Sequence, residues 1–494
     1  MLQVNNLSIR NLRDLKVLVK DLSFVVNSGD KIAIIGEEGT GKSSILKCIL
    51  KDPAIQDYLE VDGSIKNSFA TGYLPQNLDA YYDLSVSEYL GEINHSIIYG
   101  ILDELGLDYD FINRETQIKN LSGGEKIKLA LVKILMAEPD LLLLDEPSND
   151  LDLATVYWLE DFIRHSDLAI LFISHDTELL KATAEGIIHL GKNSTFVPIP
   201  YEDFIDRRNR KYASDLMIAN KQRADYKKRM AKLQQIYQRV DHEQKIISRA
   251  DPAGGRLLAK KMHAVKSTRR RFEREAENFI EIPEAEDRIL IKFSNYQPLP
   301  AGKPIINLVD YELKIGENIL SKNINLDFYG QDKIGIVGKN GVGKTTLFRK
   351  LTEELKNRTD IKLGIMPQDY REILDYNQSA YEYLSVDGTK DERTKIMTYL
   401  SSVKFSKEEI NRKMGDLSPG QRAKIILTKL DLDGANVLLL DEPTRNFSPL
   451  SIDELNSVFA DFKGAIFAIS HDRSFLTQAC DKIYELNPNG LKEI

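Results

Sequence analysis

Residues 36–43 read GEEGTGKS and follow the apolar run 32–35, and residues 338–345 read GKNGVGKT after the largely apolar run 334–337. Each stretch predicts a strand, a glycine-rich turn and the start of a helix. Such a turn directs backbone N–H groups at the phosphates of a nucleotide, with its lysine on the outer phosphates and the next hydroxyl placed for Mg²⁺. The nucleotide-binding candidates are Gly36, Glu37, Glu38, Gly39, Thr40, Gly41, Lys42, Ser43 and Ser44, and Gly338, Lys339, Asn340, Gly341, Val342, Gly343, Lys344, Thr345 and Thr346.

A pair of acidic residues ends an apolar run in each half of the chain. Asp145 and Glu146 follow one such run, and Asp441 and Glu442 follow the other. A parallel strand buried on both faces presents these carboxylates at its carboxyl end, beside the phosphate loop, which suits Mg²⁺. We assign the aspartates to the metal. We expect strand alternation to turn the glutamates toward an attacking water, as general bases.

The two sets of motifs repeat in the same order and at nearly the same spacing. Lys42 and Lys344 are 302 residues apart, and Asp145 and Asp441 are 296 residues apart. The chain therefore contains a tandem duplication of one α/β nucleotide-binding domain.

Further motifs carry a resemblance to the ATP-binding cassette family. They are LSGGE at 121–125, SNDLD at 148–152, two glutamines, and two histidines that follow apolar strands. The resemblance implies that the histidines contact the terminal phosphate of ATP and that the glutamines sense Mg²⁺ and water. The catalytic candidates are Gln76, Glu146, His175, Gln368, Glu442 and His471. The metal candidates are Ser43, Gln76, Asp145, Thr345, Gln368 and Asp441.

The LSGGE signature explains why two cassettes are needed. In proteins that this chain resembles, the signature helix of one cassette closes over ATP held by the other, in a head-to-tail sandwich. A glycine-rich helix start offers free N–H groups and a positive dipole end to the terminal phosphate, and hydrolysis removes that contact. The signature candidates are Ser122, Gly123, Gly124 and Glu125, and Ser418, Gly420 and Gln421.

The two shared sites differ in sequence. The second phosphate loop pairs with the well-formed LSGGE and SNDLD, whereas the first pairs with LSPGQ at 417–421 and RNFSPL at 445–450. Pro419 removes a backbone donor, and Glu37 and Glu38 place negative charge beside the triphosphate. We expect slower hydrolysis at the first site. How either site holds adenine stays open, because the usual aromatic residue is missing upstream of both loops.

Composition favours a cytoplasmic protein with room for two cores. The chain has 494 residues, of which 42% are hydrophobic and 29% charged. Its cysteines, Cys48 and Cys480, fall one in each half and predict no disulfide framework. No stretch approaches the roughly 20 apolar residues of a membrane helix, and the start of the chain lacks a signal-peptide pattern.

A basic segment separates the two cassettes. Residues 201–275 contain 21 Lys and Arg against 10 Asp and Glu, although the whole chain carries a net charge of −8. Residues 204–247 lack Pro and Gly, and their apolar residues recur at intervals that predict one long helix. A turn is expected at 251–255, and residues 256–272 predict a shorter helix that runs back. A basic projection on an acidic body favours a nucleic-acid partner. The plainer alternative is a solvated connector.

The whole plan resembles the F subfamily of ATP-binding cassette proteins. It predicts an α/β fold with P-loop NTPase cassettes at 1–200 and 286–494, joined by a basic helical hairpin at 201–285. The resemblance implies ATP and Mg²⁺ as cofactors and the ribosome as partner. Sandwich closure would bring the linker near tRNA and rRNA, in a translation factor or an antibiotic ribosomal-protection protein. We expect a monomer, because both halves of the sandwich are on one chain.

Two other classes use the same ATPase motifs. An energy subunit of a transporter would dock on separate membrane proteins and has little need of a 75-residue basic insert. A DNA-structural ATPase fits less well, because its cassettes are generally separated by much longer coiled coils, so no DNA partner is expected.

Overall fold

The structure is a computed structural model that describes residues 1–13, 15–94, 96–149, 151–191, 193–247, 252–280, 292–403 and 405–494. It divides into two compact units, one of Met1–Tyr201 with Asp287–Ile494 and one of Glu202–Glu286. The first unit holds both cassettes and the second holds the linker. The expected boundaries after residues 200 and 285 remain a proposal, and the second of them lies outside the described residues.

The first cassette is built on a mostly parallel sheet. Its strands are β1 (Leu2–Asn11), β2 (Val17–Val26), β3 (Lys31–Gly36), β4 (Leu59–Asn67), β5 (Thr71–Leu74), β6 (Leu141–Asp145), β7 (Ala169–Ile173), β8 (Gly186–Leu190) and β9 (Thr195–Val197). Its helices are α1 (Lys42–Leu50), α2 (Val86–Leu90), α3 (Ile98–Leu105), α4 (Tyr109–Ile112), α5 (Gly123–Leu135), α6 (Leu153–His165) and α7 (Thr177–Thr183).

The parallel sheet has the strand order β5-β6-β7-β3-β8-β9, with β9 antiparallel at one edge. Every residue of β6 and β7 is buried, as expected of parallel strands covered on both faces. Strands β2, β1 and β4 form a separate antiparallel sheet. The hydrophobic core joins the two sheets, because Leu2 and Val4 of β1 lie in one buried cluster with Ile32 of β3 and Leu141 of β6.

The linker unit consists of α8 (Tyr201–Ile246) and α9 (Pro252–Glu277). At 1.5 Å per residue, α8 is roughly 70 Å long. The two helices run antiparallel: Val240 packs on Leu258 and Met262 near one end, and Arg229 bonds Glu275 at 2.9 Å farther along. Among the described residues, no helix combines the length and apolar character needed to span a membrane.

The turn expected at 251–255 is wrong for residues 252–255, and residue 251 lies outside the described residues. Helix α9 already begins at Pro252 and runs through Gly254 and Gly255, and it ends at Glu277 rather than at residue 272. Proline is tolerated in the first turn of a helix, where its missing N–H would have no partner within the helix. The glycine-rich signal therefore marks the helix start and not a loop.

The second cassette repeats the first. Its strands are β10 (Pro304–Ile315), β11 (Asn318–Tyr329), β12 (Lys333–Val337), β13 (Leu363–Met366), β14 (Val437–Asp441), β15 (Ala465–Ile469), β16 (Lys482–Asn487) and β17 (Gly490–Glu493). Its helices are α10 (Lys344–Leu355), α11 (Ala380–Leu384), α12 (Lys390–Ser402), α13 (Lys407–Ile410), α14 (Pro419–Leu432), α15 (Pro449–Asp461) and α16 (Arg473–Ala479). Short 3₁₀ helices occur in both cassettes. Those of the first lie at Pro53–Asp57, Asp79–Tyr81 and Ile118–Asn120, and those of the second at Tyr370–Glu372 and Met414–Asp416.

The sheet order β13-β14-β15-β12-β16-β17 matches that of the first cassette strand for strand. The antiparallel pair β10–β11 corresponds to β1–β2. The duplication predicted from the motif spacing is thus a duplication of the fold.

A buried ion pair joins the two cassettes. Arg473, at the start of α16, donates to both carboxylate oxygens of Glu160 on α6, one of them at 3.2 Å. Its guanidinium also lies over the ring of Tyr157, 4.7 Å from the centroid. Because the side chains of Arg473 and Glu160 are only 16% and 9% exposed, removing one partner leaves a charge in a poorly hydrated place.

We expect Arg473→Met to destabilise the cassette unit by about 3 kcal/mol, because the Glu160 carboxylate stays buried without its partner. Urea unfolding followed by the fluorescence of Trp158, the single tryptophan, reports on this region because Trp158 lies on α6. The matched control is Arg164→Met on the same helix, whose pair with Asp161 is long and exposed and should contribute under about 0.5 kcal/mol.

A second variant separates charge burial from loss of packing. Glu160→Leu combined with Arg473→Met should recover at least half of the loss, because no unpaired charge remains. Equal shifts for Arg473→Met and Arg164→Met would contradict the role of this ion pair.

Candidate functional site

The two phosphate loops have the geometry predicted from their glycines. Each loop connects the central strand of its sheet, β3 or β12, to the helix that follows it. Gly41 and Gly343 have φ of +93° and +107°, a region that L side chains rarely adopt. A Cβ at Gly343 would also lie 2.9 Å from the side chains of Leu313 and Leu320. Glycine is therefore required at this point of the loop.

Both loop lysines reach back over their own loops. Lys42 Nζ donates to the carbonyl oxygens of Gly36 and Glu37 at 3.0 and 3.2 Å. Lys344 Nζ donates to Gly338 and Lys339 at 2.6 and 3.1 Å. Burial lowers the pKa of both lysines, against the opposing effect of nearby carboxylates. The ammonium groups thus lie in the concave face of each loop, where phosphates would bind.

The strand-end aspartates lie beside the loop hydroxyls. Ser43 Oγ donates to Asp145 Oδ1 at 3.0 Å, and Tyr73 donates to the other oxygen at 3.3 Å. In the second cassette Thr345 bonds Asp441, whose pKa is raised to about 6 by burial. A serine or threonine hydroxyl next to a carboxylate is an all-oxygen donor set of the kind that Mg²⁺ prefers.

The donor set is incomplete without a nucleotide. Across the described ranges, no three His, Cys, Asp or Glu side chains come together as a possible metal site. Mg²⁺ usually keeps several waters and binds through one or two protein groups plus substrate phosphates. The hydroxyl and aspartate of each cassette therefore fit Mg²⁺ bound together with a nucleotide.

The candidate general bases sit in a strained turn. Glu146 and Glu442 follow β6 and β14 directly and have φ of +53° and +52°. Their N–H groups donate to Ile173 and Ile469 on the neighbouring strands, at 3.1 and 2.9 Å. We expected strand alternation to direct these two side chains toward the water. The left-handed backbone at each glutamate also contributes to their direction. A residue other than glycine in the left-handed region of φ costs conformational energy, and such residues are concentrated at functional sites.

In the first cassette the histidine is bonded on both sides. His175 Nε2 lies 2.9 Å from Glu146 Oε1, and its Nδ1 lies 2.9 Å from the carbonyl oxygen of Phe447 in the other cassette. A carbonyl only accepts, so Nδ1 carries the proton. Burial acts to raise the pKa of Glu146, but His175 and Lys42 outweigh it and lower the pKa below its ordinary value.

In the second cassette the same pair is loose. His471 Nε2 lies 3.9 Å from Glu442 Oε1, and His471 Nδ1 is buried without a hydrogen-bond partner among the described residues. Burial, reinforced by Asp441, raises the pKa of Glu442 to about 8. Burial and Lys344 lower the pKa of His471 to about 4. The His471 backbone N–H still donates to Glu442 Oε2 at 3.3 Å, so the second site differs from the first in lacking the close bond between the two side chains.

Each cassette contributes to the other's site. A cavity of about 680 Å³ at the first loop is lined by both cassettes. Its first-cassette residues include Glu38, Gly39, Gly41, Lys42, Ser43, Ser44, Gln76, Glu146 and His175, and its second-cassette residues are Ser418, Pro419, Arg445 and Asn446. This is the head-to-tail pairing expected for the first site.

A cavity of about 390 Å³ at the second loop is also shared. Its second-cassette residues include Asn340, Gly341, Gly343, Lys344, Thr345, Thr346, Gln368, Asp441, Glu442 and His471, and its first-cassette residues include Ser148, Asn149, Leu151, His175 and Asp176. Asp152 acts electrostatically on Lys344 and His471 from across the boundary.

Some candidate residues lie outside these cavities. The second cavity is not lined by the first signature, which is Ser122, Gly123, Gly124 and Glu125, or by the loop residues Gly338, Lys339 and Val342. The first cavity is not lined by the loop residues Gly36, Glu37 and Thr40. Ser122 and Glu125 instead form a capping box at the start of α5, and Ser418 and Gln421 do the same for α14. Pro419 takes the first helical position there, which proline tolerates.

Several lining residues were not among the candidates predicted from the sequence. Tyr58 and Asn11 line the first cavity. Leu320 lines the second together with Ile315, which stands upstream of the second loop where the usual aromatic residue is missing. Tyr58 follows the phosphate loop in the chain, so a search for an aromatic residue upstream of the loop does not find it. The first site thus offers an aromatic ring and the second offers aliphatic side chains.

Comparisons with known proteins agree with this geometry. The family described as ABC transporter matches residues 19–149 and 321–445, one match in each cassette. ATP-binding protein Uup of Buchnera aphidicola subsp. Acyrthosiphon pisum is 28% identical over 512 residues, covering 99% of this chain and 81% of that protein. ABC transporter F family member 5 of Arabidopsis thaliana is 25% identical, with coverage of 96% and 74%.

The energy-dependent translational throttle protein EttA of Mycobacterium tuberculosis is 27% identical over 96% of this chain and 89% of its own length. Among solved structures, the archaeal ribosome recycling factor aABCE1, in complex with ribosomal stalk protein aP1, has the same fold, with a TM-score of 0.61 at 18% identity and coverage of 99% and 90%. The family match implies ATP binding and an ATP-hydrolysing activity. The chain belongs to the ATP-binding cassette family, in its F subfamily, with both cassettes on one polypeptide.

Proposed function

We propose that this protein is an ATPase that acts on the ribosome, and that its two cassettes close on ATP to position the basic linker near tRNA and rRNA. The observation that carries the proposal is the sharing of both cavities between cassettes of one chain. A nucleotide bound in a shared cavity contacts both cassettes, so its hydrolysis changes their preference for the closed state. The linker connects these two moving parts.

The second site would carry most of the hydrolysis. Lys344 and Thr345 would hold the outer phosphates and Mg²⁺, with Asp441 beside the hydroxyl. Glu442 would accept the proton of the attacking water as the bond between the terminal phosphorus and the bridging oxygen breaks. His471 and Gln368 line the same cavity and would bind the terminal phosphate and the water.

The first site would turn over more slowly. Its general base, Glu146, is held by His175, and His175 is held by the carbonyl of Phe447. A base that is already held by another side chain must lose that interaction before it can accept a proton from water.

We therefore expect unequal effects of the two glutamate substitutions. In single-turnover ATP hydrolysis, Glu442→Gln should lower the rate by about 100-fold or more, the usual range for a lost general base. Glu146→Gln should lower it by less than about threefold, because little of the turnover passes through the first site. Equal losses would overturn the assignment of the faster site.

The pH dependence gives an independent check. In a Glu146→Gln background, kcat/KM should rise about tenfold per pH unit below pH 8 and level off above it, because Glu442 must be ionised to accept a proton and its pKa is raised to about 8. In a Glu442→Gln background the residual rate should be flat from pH 6 to 8, because the pKa of Glu146 is lowered. A flat profile for the second site would count against Glu442 as the base.

The ribosome is proposed as the partner from charge and from relatives. The linker has a net charge of +11 over residues 201–275, which suits a polyanionic surface. EttA is described as a translational throttle and aABCE1 as a ribosome recycling factor. Whether this protein serves ordinary translation or antibiotic protection could be tested by growth of a deletion strain across ribosome-targeting drugs. We expect residues 248–258, at the tip of the predicted hairpin, to decide this, and residues 248–251 among them lie outside the described residues.

Cosedimentation tests the partner. The variant with Glu146→Gln and Glu442→Gln should pellet with ribosomes in ATP, and about six phosphate contacts would weaken binding roughly a thousandfold between 50 and 200 mM salt. Lys260→Gln, Lys261→Gln and Arg270→Gln together, all exposed on α9, should reduce pelleting and the salt slope.

The matched control removes three exposed lysines from the second cassette: Lys390→Gln, Lys395→Gln and Lys407→Gln. This control should pellet as the parent does. Enrichment with membranes rather than ribosomes would favour the alternative, an energy subunit of a transporter. Equal effects of the two triple variants would show that the linker is not the contact.

A further inference from the structure

A carboxylate of the first phosphate loop lies on the helix start of the opposite cassette. The backbone N–H of Gly420, the second residue of α14, donates to Glu38 Oε2 at 3.4 Å. Ser418 already caps this helix through the N–H of Gln421. Because Pro419 has no N–H, Gly420 supplies the free donor at the end of the helix that favours an anion. Glu38 thus takes up a donor that the sandwich would direct at a phosphate.

Glu38 lies among groups that attract an anion. Burial, reinforced by Glu146, leaves the pKa of Glu38 above its ordinary value, although His175, the N–H of Gly420 and Lys42 act in the opposite direction. These groups act on the carboxylate from both cassettes. Lys42 and His175 line this cavity together with Ser418 at the start of α14, so a terminal phosphate bound there would depend on the same groups.

The second loop has no such carboxylate. The matching position in GKNGVGKT is Asn340, which is uncharged and lies 3.5 Å from Lys344 Nζ through Oδ1. The two loops therefore differ by one negative charge at this position, and the preceding position adds to the difference because Glu37 aligns with Lys339. Inside a poorly hydrated site, two like charges a few ångströms apart repel far more strongly than in water.

We propose that Glu38 takes the place of the terminal phosphate at the first site, so that this site selects a nucleoside diphosphate over a triphosphate. With a diphosphate bound, the Glu38 carboxylate supplies the remaining negative charge between Lys42 and the N–H of Gly420. With a triphosphate, the terminal phosphate and Glu38 compete for the same donors. The contacts from Glu146 to His175 and from His175 to the carbonyl of Phe447 fit this diphosphate-binding role, because these groups bond to one another and not to a terminal phosphate.

The selectivity can be measured by equilibrium binding without turnover. Lys344→Ala in the full chain disables the second site, and fluorescent ADP is competed with ADP or with a non-hydrolysable ATP analogue. With Glu38 present, ADP should bind about tenfold or more tightly than the analogue. Glu38→Asn, which copies the second loop, should strengthen the analogue about tenfold and change ADP by less than about threefold.

Matched variants separate charge from reach. Glu38→Gln keeps the shape of the side chain and should behave as Glu38→Asn, which also guards against a folding defect in either one. Glu38→Asp keeps the charge but shortens the side chain by one methylene, so ADP preference should fall only partly. Asp62→Asn removes an exposed carboxylate on β4 and should leave both affinities unchanged.

The converse substitution makes the test stricter. In a Lys42→Ala background, Asn340→Glu should give the second site the diphosphate preference. The inference is overturned if the first site binds the analogue at least as tightly as ADP, or if Glu38→Asn shifts both ligands equally. It rests on nucleotide binding at the first loop: failure of both ligands to bind there would contradict the proposed function, whereas an inverted preference would contradict this inference alone.

Discussion

The structure depends on parallel strands that are buried on both faces. Strands such as β6 and β14 have no room for a polar side chain along their length, so their charged residues gather where the strands end. Asp145 and Asp441 lie at those ends, next to the hydroxyls that open α1 and α10. The left-handed turn at the following glutamate then directs a second carboxylate into the cavity. Core burial and site chemistry thus have the same origin.

The two copies of this arrangement differ in how their charges are balanced. At the first site the base, the histidine and a carbonyl of the opposite cassette form a continuous chain of bonds. At the second site the side chains of Glu442 and His471 are 3.9 Å apart, and burial shifts the pKa of each so that its neutral form is favoured. The same motif order therefore produces two chemically different sites.

Charge is also separated along the chain. The linker segment is strongly basic while the chain as a whole is acidic.

The two cassettes are held to each other by groups beside the nucleotide cavities. These contacts are the buried ion pair of Arg473 with Glu160 and the bond from His175 to Phe447. In the proposed function, a change of ligand in either cavity would act on this contact between cassettes, and the linker would transmit that change.

The sequence by itself determined the duplication, the strand-loop-helix units and the two helices of the linker, because glycine spacing, apolar runs and helical periodicity are local properties. It also located Lys42, Asp145 and their counterparts, which follow directly from those local units. Only the tertiary structure decided that Glu38 meets Gly420, that His175 meets Phe447, and that Tyr58 lines the first cavity. These partners belong to separate segments, some of them in different cassettes, and no local pattern encodes a contact formed only when the sheets pack and the cassettes face each other.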